Sequence, residues 1–216
     1  MRKRITSLQL LCFVFLQIIC VAQEKDFPEN FDYGNIDKNG YHNSFFKVDI
    51  TFDTTWFVQN KEQIERLSKT GRDLIAGDNK NLQAVIKASQ VNTASLLSIF
   101  KYELGSPVSF NPSFLVVSEN TKSLPGIKRG EDYLFHAKNL LEQAQITYSF
   151  ERDIYEKKIG SKIFDIMEAK TIFRNREITQ EYISTVINGF CLSFILSYTN
   201  DDERNELYSI LEKVKI

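Results

Sequence analysis

Three adjacent carboxylates, Asp201, Asp202 and Glu203, are a clear cluster of potential metal ligands. Oxygen ligands of this kind suit hard cations such as Ca²⁺ and Mg²⁺. Asn200 precedes the cluster and a stretch with helical apolar spacing, 207–214, follows it. A helix that begins at an N-cap asparagine often carries acidic residues in its first turn, next to the positive end of the helix dipole. Because adjacent side chains at a helix start point in different directions, we predict that these carboxylates stabilise a helix N-terminus and bind no metal.

The other reactive side chains form no recognisable catalytic pattern. His42 and His136 are too few for a typical histidine metal site unless carboxylates complete it. Cys191 lies in the apolar run 190–198, where a free cysteine is typical of a buried core position. The sequence contains no Gly-rich phosphate loop, HExxH, GxSxG or paired-cysteine metal spacing. We therefore predict no catalytic, metal-binding or cofactor-binding residues.

The loop 121–132, TKSLPGIKRGED, is the strongest candidate for a binding surface, because it concentrates positive charge beside a Pro-Gly turn. Its candidate partner-binding residues are Lys122, Pro125, Gly126, Lys128 and Arg129. The Pro-Gly pair predicts a type II turn, in which glycine adopts a positive φ. The alternative is a solvated connection, since most loops only connect elements. We expect that replacing the three basic residues by serine leaves the melting temperature nearly unchanged.

The N-terminus is typical of a secretory signal peptide. Residues 1–4 carry three positive charges, residues 8–22 are mostly apolar, and polar sequence follows from Gln23. We predict a signal peptide over 1–22 with cleavage after Ala22. The mature protein is then exported, either to the periplasm or to the cell exterior.

Two kinds of membrane anchor are the alternatives at this end. A span needs roughly 18 or more apolar residues, and Gln9 and Gln17 interrupt a shorter stretch. A lipoprotein signal at Cys20 would need a small residue before the cysteine, and Ile19 stands there. We therefore expect no transmembrane segment after signal cleavage and no lipid anchor on Cys20.

The mature chain has the size and charge of one acidic domain. Removing 22 of the 216 residues leaves 194, and the loss of three basic residues changes the formal charge from −1 to −4. This length can bury a sizeable core. The mild acidity gives no electrostatic footprint for nucleic acid. Only Cys191 remains after cleavage, so no intramolecular disulfide can form and stability depends on the core.

The segment 23–43 is polar and lacks periodicity, so we predict a flexible N-terminal arm before a single α+β domain over 44–216. Within the arm, Asp37–Gly40 (DKNG) is similar to the start of a calcium loop. No glutamate stands where the closing ligand belongs, and we predict a plain Asn-Gly turn.

Periodicity predicts the first elements of the domain. The stretch 44–52 alternates as a half-buried strand does, and Asn60 with Gln63 forms the pattern of a capping box. Further predicted elements are a helix ending at 77, a second helix within 79–89, strands in 93–105 and 113–120, and a helix over 132–145.

The C-terminal third predicts a meander. Residues 146–197 form long strands with turns near Gly160 and Asn175, which favours antiparallel pairing. The first two strands are rich in charge, so one of their faces is expected to be lightly covered. The last strand, Gly189 to Tyr198, is nearly all apolar and is expected in the middle of the sheet.

This order of elements resembles a known family. The stretch NSFFKVDITFDTTW, the charged meander with KKIGSK, and the final GFCLSFILSYTNDDERNELYSILEKVKI are similar to the PsbP/Mog-type fold, which includes the photosystem II extrinsic protein, the Ran-binding Mog proteins and the bacterial envelope protein DcrB. The resemblance covers roughly residues 40–216. It implies an antiparallel sheet of about six or seven strands sandwiched between helices, an α/β/α sandwich, and a mostly accessory function. No residue matches a motif that would identify a photosystem or nuclear partner.

Three functions remain open from sequence. The first is a non-catalytic accessory or scaffold protein that binds a protein partner in the cell envelope. The second is a small-ligand or lipid-binding module, with a cavity between sheet and helices. Its candidate wall residues are Trp56, Phe100, Phe114 and Tyr133. The third is an enzyme of unrecognised type.

Overall fold

The computed structural model describes residues 31–89 and 92–216 and has the predicted α+β class. Within these ranges the chain forms four helices and two antiparallel sheets. The predicted signal peptide, its cleavage site after Ala22 and Cys20 lie outside the described residues. None of the described helices has the length and apolar character that crossing a bilayer requires.

The strands are β1 (Asn35–Ile36), β2 (Gly40–Asn43), β3 (Val48–Thr51), β4 (Phe57–Val58), β5 (Thr93–Phe100), β6 (Ser113–Asn120), β7 (Tyr148–Ser149), β8 (Tyr155–Ile159), β9 (Lys162–Phe173), β10 (Arg176–Ile187) and β11 (Phe190–Tyr198). The helices are α1 (Lys61–Ala76), α2 (Lys80–Ser89), α3 (Gly130–Leu141) and α4 (Asp201–Leu211).

The main sheet has eight strands in the order β4-β5-β6-β11-β10-β9-β7, and β8 also pairs with β9. This is more than the six or seven expected, since the two-residue strands β4 and β7 lie at its edges. β11 lies between β6 and β10 with every residue buried, which confirms its predicted central place. A continuous apolar strand favours this position because both of its faces are covered.

A second sheet of three strands, β1-β2-β3, uses part of the segment predicted as a flexible arm. From residue 31 onward that prediction is wrong, because Phe31 and Tyr41 are buried in the core. Strands this short show no periodicity of their own and depend on packing against the rest of the fold. The predicted turn at Asp37–Gly40 is confirmed, and the Asp37 N–H donates to the Gly40 carbonyl at 3.0 Å.

Both faces of the main sheet are covered. α1, α2 and α3 cover one face, where their apolar side chains meet residues such as Phe100 and Ile195. α4 and the small sheet cover the other face, with Phe114 and Phe194 in that core. Towards β9 this second layer ends, and Ile172 is largely exposed, which confirms the lightly covered face.

The predicted helix caps are confirmed. At α1, Gln63 N–H donates to Asn60 Oδ1 at 2.9 Å and Asn60 N–H donates to Gln63 Oε1 at 2.8 Å. At α4, Glu203 N–H donates to Asn200 Oδ1 at 3.0 Å. The Glu203 carboxylate accepts from the Thr199 N–H at 2.7 Å, one residue before the N-cap. The acidic cluster therefore begins a helix.

Candidate functional site

A groove of 780 Å³ lies at the β4–β5 edge of the main sheet. Its lining includes Ala94 and Ser95 of β5, the N-terminal half of α1, and the segment around β1. α1 belongs to the layer on one face of the sheet, and the small sheet that contains β1 covers the other face. The groove therefore runs along a sheet edge between two walls.

Within the described chain, no strand pairs with the N-terminal half of β5 on the edge that faces away from β6. β4 pairs only with Phe100 and Ile99, and one further bond runs from the Gln59 N–H to the Ser98 carbonyl at 2.9 Å. Beyond it lies the stretch Ala94–Leu97, which pairs with β6 alone. The register with β6 shifts between Ser95 and Leu97, so this stretch contains a β-bulge.

The two walls differ in chemistry. The β1 wall presents Tyr33 and Ile36, which are 55% and 45% exposed to solvent. The α1 wall presents Ile64, Ser68 and Arg72, and Arg72 donates to the Ser68 hydroxyl at 2.7 Å. Partial burial lowers the pKa of Arg72 from its ordinary value, although the charge of Asp73 opposes that shift.

Tyr33 and Ile36 are exposed apolar residues that line the groove, and together they form what we call the edge patch. Phe57 and Val58 of β4, which precede the groove residue Gln59 in the chain, are 44% and 38% exposed. As neighbours on a strand, their side chains point to opposite faces of the sheet, so they do not belong to this patch. Exposed apolar side chains that lie together are typical of binding surfaces.

Gln59 brings a buried acceptor to the groove. It is only 5% exposed, and its Nε2 donates to the Phe57 carbonyl at 2.7 Å. Its Oε1 is buried and has no hydrogen-bond partner among the described residues.

The β1 wall is held in place by Asp32. Its carboxylate accepts from the Gly34 N–H at 2.7 Å, and from the Ser44 hydroxyl and N–H at 2.6 and 2.8 Å. These hydrogen bonds lower the pKa of Asp32 below its usual value, and the bond from the Ser44 hydroxyl has the largest effect. Phe31 adds apolar contacts with the rings of Phe45 and Phe190.

Asp32→Ala should lower the melting temperature by about 3–6 °C near pH 7, since hydrogen bonds to a carboxylate contribute about 1–2 kcal/mol in total at a partly exposed site. Because the folded-state pKa is depressed, this stabilisation is present above the unfolded pKa of about 3.9 and is lost as pH falls through the folded pKa. Thermal melts from pH 7 to pH 2 should show the two proteins converging below about pH 4. Asp37→Ala is the control, because among the described residues the Asp37 carboxylate accepts a single hydrogen bond, from the Asn39 N–H in an exposed turn. An equal loss there would contradict the assignment.

The residues of the predicted binding loop lie outside this groove. Lys122 packs over the Phe190 ring, with Nζ 5.0 Å from the ring centroid. Pro125 and Gly126 are exposed, as is Lys128. The predicted type II turn is wrong, because the φ of Gly126 is not in the positive region.

Arg129 of this loop is bound within the fold. Its Nη2 lies 2.6 Å from Glu156, 3.2 Å from Asp165 and 3.3 Å from Glu131. The Asp165 side chain is only 7% exposed and also accepts the Glu131 N–H at 2.9 Å. The hydrogen bond to Asp165 and its charge raise the pKa of Arg129. Arg129 therefore joins the start of α3 to β8 and β9.

Arg129→Ser should lower the melting temperature by several degrees, because it leaves the Asp165 carboxylate buried without its cation. This replaces the expectation that all three basic residues can be changed without effect. Lys128→Ser is the matched control, since the structure gives its side chain no ion pair. Differential scanning calorimetry of both variants checks the difference, and equal melting temperatures would contradict the role of Arg129.

A buried carboxylate beneath α4 is bound within the fold. Glu181 of β10 is fully buried and accepts from the hydroxyls of Tyr198 and Tyr208 at 2.7 and 2.5 Å and from Arg204 Nε at 3.2 Å. Burial raises the pKa of both tyrosines. This cluster attaches α4 to the sheet.

Glu119 and Cys191 occupy the opposite core. The Glu119 carboxylate accepts the Tyr133 hydroxyl at 2.6 Å. Cys191 is fully buried, as predicted, and burial raises the pKa of its thiol. A thiol with a raised pKa is a poor nucleophile, so Cys191 is a core residue.

The candidate metal ligands are dispersed. His42 is exposed and its Nδ1 lies 2.5 Å from Asp49 Oδ1, whereas His136 is exposed on α3. Over the ranges 31–89 and 92–216, no three His, Cys, Asp or Glu side chains are grouped to hold a metal ion.

The aromatic residues predicted to wall one cavity are separated by the main sheet. Trp56 and Phe114 belong to the core beneath α4, whereas Phe100 and Tyr133 belong to the core beneath the other three helices. All four are buried. They cannot line one common cavity.

Sequence reasoning missed the edge patch because Tyr33 and Ile36 lie in the segment interpreted as a flexible arm. One signal was present: Phe31 and Tyr33 place two aromatic residues in a segment that is otherwise polar.

Comparison with known proteins identifies no family. No family model matches the chain, and no curated protein matches it. Fourteen chains of solved structures match. One is the crystal structure of a protein of unknown function, PA94 from Pseudomonas aeruginosa, with 12% identity, covering 55% of this chain and 74% of its own, at a TM-score of 0.38. A similarity at this level carries no argument about fold or function.

Proposed function

We propose that this protein is an exported, non-catalytic accessory or scaffold protein that binds a protein partner in the cell envelope, and that the groove beside β5 is its binding surface. The resemblance to the PsbP/Mog-type fold belongs to this proposal, as does export by the signal peptide. The observation that carries it is the edge patch, Tyr33 and Ile36, exposed in the lining of one groove.

Exposing this patch to water costs free energy. Burying apolar surface contributes about 25 cal/mol per Å². A protein that covers the patch gains this free energy, and the groove provides the concave shape that positions the partner. Protein interfaces are rich in aromatic anchors of this kind, with a polar rim around them. Lys61, Glu65 and Arg72 provide charged groups beside the groove.

The alternative is a small ligand or lipid in the same groove, whose volume lies within the range of about 300–1,000 Å³ typical of ligand pockets. Mass spectrometry of the protein under non-denaturing conditions distinguishes the two. A small molecule that co-purifies with the wild type and is lost from an Ile36→Glu variant would favour the ligand-binding module over the accessory protein.

Affinity purification of the tagged protein from its native cell envelope, after mild crosslinking, tests the proposal. We expect one partner at a stoichiometric level with the wild type and none with Ile36→Glu, which places a charge in the edge patch. Ile163→Glu is the matched control, because Ile163 is exposed to a similar extent, 57%, on β9. A partner that is retained by Ile36→Glu, or is lost equally from both variants, would contradict the proposal.

A further inference from the structure

We infer that the groove takes its partner as an extended segment added to the open edge of β5, with apolar side chains at alternate positions facing the β1 wall. This inference rests on the proposed function of the groove and names the kind of partner segment that fits it.

Some backbone N–H and carbonyl groups of β5 point away from β6, toward the groove. The Ser98 carbonyl faces outward, because it accepts the Gln59 N–H. Ser98 lies opposite Leu115 of β6, and Ser95 lies opposite Val117, two residues further along β6. Residues two apart on a strand orient their backbone groups in the same direction, so Ser95 also presents its N–H and carbonyl outward. These are the groups with which an added strand pairs.

The part of β5 that lines the groove sets the length of the segment. Thr93–Ser95 line the groove, about 10 Å at a rise of about 3.3 Å per residue, whereas Leu96 and Leu97 are buried. β4 pairs further along the strand, at Ile99 and Phe100. An added strand is therefore short, about three residues in its paired part.

The walls exclude a second copy of the same edge. The edge is recessed, because Tyr33 and Ile36 stand on one side and α1 on the other. Pairing two copies through β5 would bring both pairs of walls into the same space. A single extended segment enters between them.

The walls also determine which side chains fit. Successive side chains of a strand point to opposite faces. On one side they meet Tyr33 and Ile36, which favours apolar residues, and on the other they meet the mixed α1 wall of Ile64, Ser68 and Arg72, which admits short apolar and short polar residues. The segment therefore has apolar residues at the alternate positions that face the β1 wall.

Selection from a phage-displayed library of random heptapeptides on the full chain, expressed with its own leader, tests the inference. We expect enriched peptides with apolar residues at every second position. Ser95→Pro should weaken their binding at least tenfold, because it removes an outward N–H without removing a bond to β6. Ser95→Ala should retain binding.

A second measurement does not depend on the folding of the proline variant. Methylating alternate backbone amides of an enriched peptide should abolish its binding to the wild type in fluorescence polarisation, and methylating the other set should not. Two results would overturn strand addition while leaving the groove as the binding site. In the first, enriched peptides lose binding to Ile36→Glu but have apolar residues at helical spacing; in the second, they lose binding to Ile36→Glu but tolerate both methylation patterns. Peptides that bind Ile36→Glu unchanged, or no enrichment, would overturn both.

Discussion

Gly130→Ala is expected to lower the melting temperature by about 6–12 °C, a loss of about 3 kcal/mol of unfolding free energy. Gly130 is the first residue of α3, and a Cβ placed on it would lie 2.1 Å from the Ser184 carbonyl oxygen of β10 and 3.0 Å from Asp165 Oδ2. Backbone atoms of a central strand cannot move away as a flexible side chain can. The start of α3 would have to shift, and the Asp165 bond to the Glu131 N–H would be strained.

Gly126→Ala is the matched control for this prediction. Gly126 lies four residues earlier in the same loop, and a Cβ there would meet no heavy atom within 4 Å. Calorimetry should therefore find its melting temperature close to that of the wild type. If Gly130→Ala melted with the control, the close approach of α3 to β10 would not exist in solution.

Arg204→Ala is the second change with a large expected effect, a loss of about 3 kcal/mol. It leaves the fully buried Glu181 carboxylate without its cation, and breaking a buried pair at one partner costs about 3–5 kcal/mol. The estimate lies at the lower end because the Arg204 side chain is 38% exposed to water. Denaturant unfolding measures the loss.

The double variant Arg204→Ala with Glu181→Gln tests the mechanism. A neutral amide needs no cation: its oxygen accepts from one of the two tyrosine hydroxyls and its NH2 group donates to the oxygen of the other, so the double variant should be more stable than Arg204→Ala alone. A double variant less stable than the single one would mean that the Glu181 carboxylate stabilises the fold without its cation, which would contradict the role assigned to Arg204.

Local signals in the sequence predicted much of the fold. β11 is a continuous apolar run, and only a central strand buries both faces, so its place followed from composition. Asn60 and Asn200 mark helix starts because an N-cap bond joins residues three positions apart, a spacing visible in the sequence.

Contacts between distant positions could not be predicted in this way. Glu181 meets Tyr198 and Arg204, which are 17 and 23 positions away, and nothing in a single strand's pattern shows such a pairing. In the sequence analysis Arg129 was a candidate for binding a partner, because Asp165, to which it is bound in the structure, is 36 positions away along the chain. The groove joins residue 33 to residue 95, and its β1 wall depends on strands too short to show periodicity.

Photo-crosslinking in the native cell envelope tests the central claim, that the groove binds a protein partner, most directly. Benzoylphenylalanine replaces Tyr33 in the edge patch and, as the control, Phe135 on α3, an aromatic residue of similar exposure, 55% against 58%. We predict that the probe at position 33 crosslinks one protein through one short segment, and that the probe at position 135 does not. Equal crosslinking from both positions, or none from position 33, would contradict the claim.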